Sequence, residues 1–159
     1  MGMTKRGKTT IGHYLSNEPL RGFKHPGSTT VKYKATTNSY KNAVIGPDNN
    51  SETEIPNYFF PKIKLLDHEA TKVTLIDCPG FQDSYGCHRI ITNAYFNYRV
   101  FSKVRNMKFI IVVQKSDMEE TATGLVKTIK GFLENFTDFE SIKQKIFNAT
   151  TMVVTKTTG

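Results

Sequence analysis

The run KFIIVV, residues 108–113, sets the tightest limit on the fold. Five consecutive apolar residues, four of them branched, have no polar partner face, so the strand they form is covered on both sides. The run TMVV at 151–154 repeats the pattern in shorter form. Between and before these runs lie stretches with apolar residues at helical spacing. Leu125, Ile129, Phe132, Leu133 and Phe136 mark an inward face over 119–136, and Phe139, Ile142 and Ile146 mark a helical return. Ile90, Ile91, Ala94, Tyr95, Tyr98, Phe101 and Val104 mark another inward face over 88–104. Strands alternating with helices predict an α/β sheet flanked by helices on both faces. In such sheets ligands sit at the carboxyl ends of the strands.

The amino-terminal third reads in shorter pieces. Residues 8–15 predict a helix with Ile11, Tyr14 and Leu15 on one face, ended by Asn17 and Pro19. Gly and Pro make 20–30 a loop, and VKYKA and KNAVIG two strands around the turn TTNSY. NYFFPKIKLL and TKVTLID predict a pair of strands joined at Asp67–Ala70.

Two stretches stand where that architecture puts a ligand. The first, G-M-T-K-R-G-K-T from Gly2 to Thr9, fits the phosphate-cradling pattern G-x-x-x-x-G-K-[ST]. Gly2 and Gly7 let the backbone of Met3, Thr4, Lys5 and Arg6 curl its N–H groups inward. The helix that follows, with Thr10 in its first turn, adds its positive end. Lys8 is placed to reach β- and γ-phosphates, and Thr9 to set a hydroxyl on Mg²⁺. The second stretch, V-T-L-I-D-C-P-G, ends a strand with Asp77-x-x-Gly80.

With V-V-T-K at 153–156, these segments resemble the first, third and fourth nucleotide motifs of the translation-factor-related P-loop GTPases. The wording D-C-P-G-F-Q-D is similar to large GTPases of the septin, immune-associated and dynamin-like kind. The resemblance covers almost the whole chain. It implies a three-layer P-loop sandwich, mostly parallel with one antiparallel strand, as a single partial domain over residues 1–159. The first strand and the carboxyl-terminal elements of that domain are expected to be missing. It implies GTP and Mg²⁺ as cofactors, with Asp77 holding the ion through water and the Gly80 N–H meeting the γ-phosphate. Slow or partner-assisted hydrolysis is the implied activity. A catalytically inactive scaffold and a basic module for nucleic acid or membrane are the alternatives.

Three positions depart from the motifs or need a choice. Thr53, in the loop before the strand that pairs with the Asp77 strand, is the candidate first-switch residue for Mg²⁺ and catalysis, with Thr29 and Thr30 behind it. Phe81 follows Gly80 where Ras-like members have a water-orienting Gln, and Gln82 comes one residue late. In Thr155-Lys156-Thr157-Thr158, Thr155 and Lys156 are candidate base contacts, but Thr158 replaces an Asp. One hydroxyl cannot accept both guanine N–H bonds as a carboxylate does, so this motif does not specify the base. Gln114-Lys115-Ser116-Asp117 follows the wrong strand and is set aside as a decoy.

Charge adds a partner class. Residues 1–41 hold eight Lys/Arg against the single acid Glu18, within a net charge of +8 for the 159 residues. That front suits a polyanion, whether a nucleotide or a membrane surface. The linear sequence has no aromatic–basic interleaving of the RNA-binding kind, which weighs against nucleic acid. A homodimer or a protein effector fits the resemblance. Cys78 and Cys87 are too few for a disulfide framework or a Cys-rich zinc site. His13, His25, His68 and His88 show no ligand spacing and read as packing or surface residues. No apolar run nears the ~18 residues of a membrane span, and the start lacks a leader pattern, so the sequence reads as cytoplasmic. The piece by itself is expected to fold poorly and to bind nucleotide weakly.

Overall fold

A computed structural model describes residues 1–3, 6–24, 26, 31–37, 39–40, 42–45, 53, 55–63, 71–80, 87–119 and 122–156. Helix α1, Lys8–Leu15, starts at Gly7, whose φ of 84° suits glycine, and is followed by Asn17 at φ 57°. Its inward face differs from the expected one. Gly12 and His13 are buried, while Tyr14 and Leu15 are exposed. The cause is Phe59: a Cβ on Gly12 would stand 2.5 Å from that ring, so only glycine lets the helix come this close. His13 meets the ring edge-on at 5.1 Å and lies 2.7 Å through Nε2 from the Ala43 carbonyl oxygen. That contact holds down the 42–45 segment, which is buried at Ala43 and is not the strand expected there.

The strand partner of 32–35 is instead the stretch read as a loop. Strand β1, Leu20–Phe23, pairs antiparallel with β2, Lys32–Ala35. Thr36 closes the base through its N–H and hydroxyl, both on Pro19 O at 3.0 Å. Gly22 sits within the strand because Val31 Cγ1 lies 3.1 Å from where its Cβ would be. Pairing sets Arg21 opposite Lys34 and Phe23 opposite Lys32 on one face, with Gly22 opposite Tyr33 on the other. Aromatic and basic residues therefore interleave across the pair. Like charges directly opposed destabilise a strand pair. Lys34→Glu is expected to stabilise this hairpin by about 0.2–1 kcal/mol, read as slower amide exchange at 20–23 and 32–35.

Two longer strands are expected at 57–66 and 71–77, and each is broken. Strand β3, Asn57–Phe59, pairs antiparallel with β6, Leu75–Asp77, and β4, Lys62–Ile63, with β5, Thr71–Lys72. Pro61 stands at the break and has no N–H to give the ladder. The expected turn at 67–70 lies outside the described residues.

Helix α2 spans Cys87–Lys103. Its carboxyl end docks through Phe101, whose ring stacks on Phe136 at 5.8 Å and meets Phe109 edge-on at 5.7 Å. Asn97 is buried and donates to Asn135 Oδ1 at 3.0 Å. Ile90, Ile91, Tyr95 and Tyr98, expected inward, are more than half exposed. The helical period is right, but the docked face is the one carrying Asn97 and Phe101.

The carboxyl-terminal half matches its apolar pattern, except that Met152 and Val154 of the last strand are exposed. Strand β7, Phe109–Gln114, runs parallel to β8, Thr150–Thr155, in register from Phe109–Thr150 to Gln114–Thr155. Between them come the short α3, Lys115–Met118, then α4, Thr123–Leu133, and α5, Phe139–Asn148. Ala122 at φ 51° starts α4, four residues later than the pattern suggests. The core joins Ile111, Val113, Phe132 and Ile146, with Phe109, Leu125, Leu133, Phe136, Phe139 and Ile142 packed on it. The described strands form four two-stranded ladders: β1–β2, β3–β6, β4–β5 and β7–β8. No helix of the described residues is long and apolar enough to cross a membrane.

Candidate functional site

The first residues lie along β7. Met1 O accepts from the Val112 N–H at 2.8 Å, and the Met1 amine donates to Ile110 O. Burial lowers the pKa of that amine from 8.0 to about 6, with Cys78 and Asp77 close enough to act on it. Met1 thus stands beside both β7 and the end of β6. Gly2, at φ 147°, passes so close that a Cβ would fall 2.4 Å from Val112 O.

The loop then turns into α1, pinned at three points. Arg6 Nη2 meets Asp117 Oδ1 at 2.6 Å. The Thr155 hydroxyl lies 2.8 Å from Arg6 O and 3.1 Å from Val113 O. Lys8 Nζ donates to Met3 O at 2.9 Å, folding the lysine back over the loop. At the start of α1 no side chain caps the helix and the first turn carries no acid. The first-turn N–H groups and the positive end of the helix face the loop uncompensated by any side chain of α1. This arch sits at the carboxyl ends of β6, β7 and β8, where the strand-end rule puts a ligand.

Beside the arch three oxygen side chains converge from separate parts of the chain. Thr9 Oγ1 donates to Asp77 Oδ2 at 2.7 Å. Thr53 Oγ1 lies 3.4 Å from Thr9 Oγ1 and 3.5 Å from Asp77 Oδ2. Asp77 and Thr53 are both buried, and Asp77 Oδ1 has no hydrogen-bond partner among the described residues. A buried carboxylate oxygen without a partner is costly, and a hydrated cation would satisfy it. One carboxylate with two hydroxyls fits Mg²⁺, which keeps several waters and takes few protein oxygens. Among the described residues no three His, Cys, Asp or Glu cluster in the way a softer metal requires.

The other candidates are placed as follows. Met3 and Gly7 belong to the arch, and Thr10 lies in the first turn of α1. Gly80 is buried beyond β6, after Cys78 and Pro79. Thr155 ends β8, and Lys156, at φ 54°, is exposed just after it. Thr4, Lys5, Thr29, Thr30, Phe81, Gln82, Thr157 and Thr158 lie outside the described residues. Sequence reasoning missed the Arg6–Asp117 pair, since nothing local links residues 111 positions apart. His13, read as a packing or surface residue, is a packing one.

Burial pushes the Cys78 thiol above 9.0, with the Met1 amine as the next and opposing influence. The thiol of the folded chain stays protonated where an unfolded one ionises. Its contribution to stability is full below pH 9 and is lost as pH rises from there. Exposed Cys87 is expected to react with iodoacetamide at pH 8 at least tenfold faster than Cys78, and denaturant to erase the difference, by mass-spectrometric time course.

Basic residues at the opposite end of β7 have a structural role. Lys108 Nζ donates to Asn148 O at 3.2 Å, and Lys145 lies in the last turn of α5, both favourable at a helix carboxyl end. Neither a family model, nor a curated protein, nor a solved structure matches the chain.

Proposed function

We propose that the chain is a nucleotide-binding domain of the P-loop GTPase type, a three-layer α/β sandwich that takes Mg²⁺-GTP in the cytoplasm. The observation that carries this reading is the convergence of Thr9, Thr53 and Asp77 beside the Gly2–Lys8 arch. Two motifs 68 residues apart share one hydrogen bond, and the switch candidate lies against it. Chance matches to short patterns have no reason to meet in space.

Each residue then has a task. Lys8 leaves Met3 O and pairs with the phosphates, while backbone N–H groups of the loop and of α1 donate to them. Thr9 and Thr53 would hold the ion directly and Asp77 through water. When bound, Mg²⁺ would neutralise charge on the phosphate oxygens. The Gly80 N–H meets the terminal phosphate, and Thr53 with Gln82 orients water for slow or partner-assisted hydrolysis. Thr155 braces the loop, and Lys156 lies along the base.

The test is a titration of the full chain with a fluorescent GTP analogue, with and without Mg²⁺, beside the Lys8→Ala variant. Saturable, Mg²⁺-dependent binding that Lys8→Ala abolishes is the expected outcome. No saturation, or binding indifferent to Lys8, refutes the assignment. Bound nucleotide with no phosphate released over hours, with or without a second copy, would place the chain among inactive scaffolds.

A further inference from the structure

We propose that Asp117 is the positioning residue of the phosphate loop, holding it to the end of β7 through Arg6. The proposal rests on the reading of residues 2–9 as a phosphate-binding loop.

The carboxylate of Asp117 has two jobs and both its oxygens are used. Oδ1 takes Arg6 Nη2 at 2.6 Å, and Oδ2 accepts the Gln114 N–H at 2.9 Å. The second bond belongs to a reciprocal cap in which Gln114 and Asp117 close the start of α3. Asp117 is therefore fixed to the last residue of β7 before it reaches the loop. Gly124 closes the other side: a Cβ there would stand 2.4 Å from Oδ1 and 2.8 Å from Cβ of Asp117. The carboxylate cannot swing away without moving the first turn of α4.

Burial makes the grip count. The Asp117 side chain is 5% exposed and that of Arg6 18%, so solvent screens the pair little. Arg6 makes this ion pair through one nitrogen, and its Nε–H is buried without an acceptor among the described residues. The guanidinium is steered by Asp117 rather than clamped in a two-pronged fork. Removing the carboxylate takes the ion-pair partner from a largely buried cation one residue before Gly7. The loop must then rearrange, and its N–H groups lose the arrangement that phosphate oxygens require. Asp117 thus has a task at the phosphates' end of the site, though its motif is set aside for the base.

The test is a double-mutant cycle on the full chain with Mg²⁺ and a fluorescent GTP analogue. Arg6→Ala and Asp117→Ala are each expected to weaken binding about tenfold, and the double variant no further. Arg6→Lys should restore most of the affinity, but only while Asp117 is present. A lysine that rescues affinity through one carboxylate separates positioning from general destabilisation. If Asp117→Ala fails to fold, Asp117→Asn, equal in size but uncharged, takes its place. Arg6→Ala weakening binding while the Asp117 variants leave it unchanged or tighter would mean that Arg6 acts on phosphate directly, and the proposal falls. It also falls if neither variant changes affinity while Lys8→Ala abolishes it. Should wild-type and Lys8→Ala chains behave alike, the phosphate reading itself fails. Amide exchange at residues 2, 3 and 6–8 without nucleotide then decides on the positioning. Faster exchange in the Asp117 variants sustains it, and unchanged exchange overturns it.

Discussion

Replacing Asp77 by alanine is expected to lower Mg²⁺-dependent nucleotide affinity by about 10- to 100-fold while leaving the fold as stable or slightly more stable. The two effects have different origins. Asp77 would reach the ion through water, and loss of such an outer partner weakens metal binding to this degree. In the chain without ligand, the same carboxylate is buried, and Oδ1 has no partner among the described residues. Removing a buried charge that is half satisfied relieves a desolvation cost, offset in part by the Thr9 hydroxyl losing its acceptor at 2.7 Å. Titrations at several Mg²⁺ concentrations, with melting curves on the same samples, separate the two. An affinity loss equal with and without Mg²⁺ would place Asp77 outside the ion site. A steep fall in melting temperature would show its role to be structural.

Phe59→Ala is expected to cost about 3–5 kcal/mol, a large share of the roughly 5–15 kcal/mol that holds a typical domain together. The ring has no solvent exposure. It meets His13 at 5.1 Å and Tyr40 at 4.7 Å, and it fills the space a Cβ on Gly12 would need. Its loss undocks α1 from the β3–β6 pair and loosens Thr9 against Asp77. The converse substitution, Gly12→Ala, overpacks the same contact and is expected to cost about 1–3 kcal/mol. Because both changes act on one gap, the double variant should be less destabilised than the singles summed. Urea unfolding of the four chains measures this coupling. Strict additivity would mean that Gly12 and Phe59 do not share that space.

The sequence was most legible where burial is complete. The branched run at 109–113 and the faces of α4 and α5 had to turn inward, and their order places a parallel pair of strands. It was least legible in short, half-exposed pieces. Gly22 and Pro26 favoured a loop over 20–30, yet four residues there pair with 32–35 because Tyr33 and Val31 lie over the glycine. The spacing in α2 gave the helix but not its docked face, which is decided by Phe109 and Phe136 elsewhere in the chain. At the site, motif spacing named Thr9 and Asp77, and loop position named Thr53. Asp117 was noticed and set aside, because its partner is a loop arginine that only the fold brings near.

The contacts that seat Met1 and Arg6 also set an order of assembly. Met1 bonds to Ile110 and Val112, Arg6 to Asp117, and the carbonyl of Arg6 to Thr155, the last across 149 positions. Closing such long stretches is entropically costly and slow compared with forming α1 or α5 locally. During synthesis Arg6 is made well before Thr155, so its carbonyl waits until β8 has been made before that contact exists. The arch around Arg6 is therefore closed only after β8 exists, although its own residues are made long before.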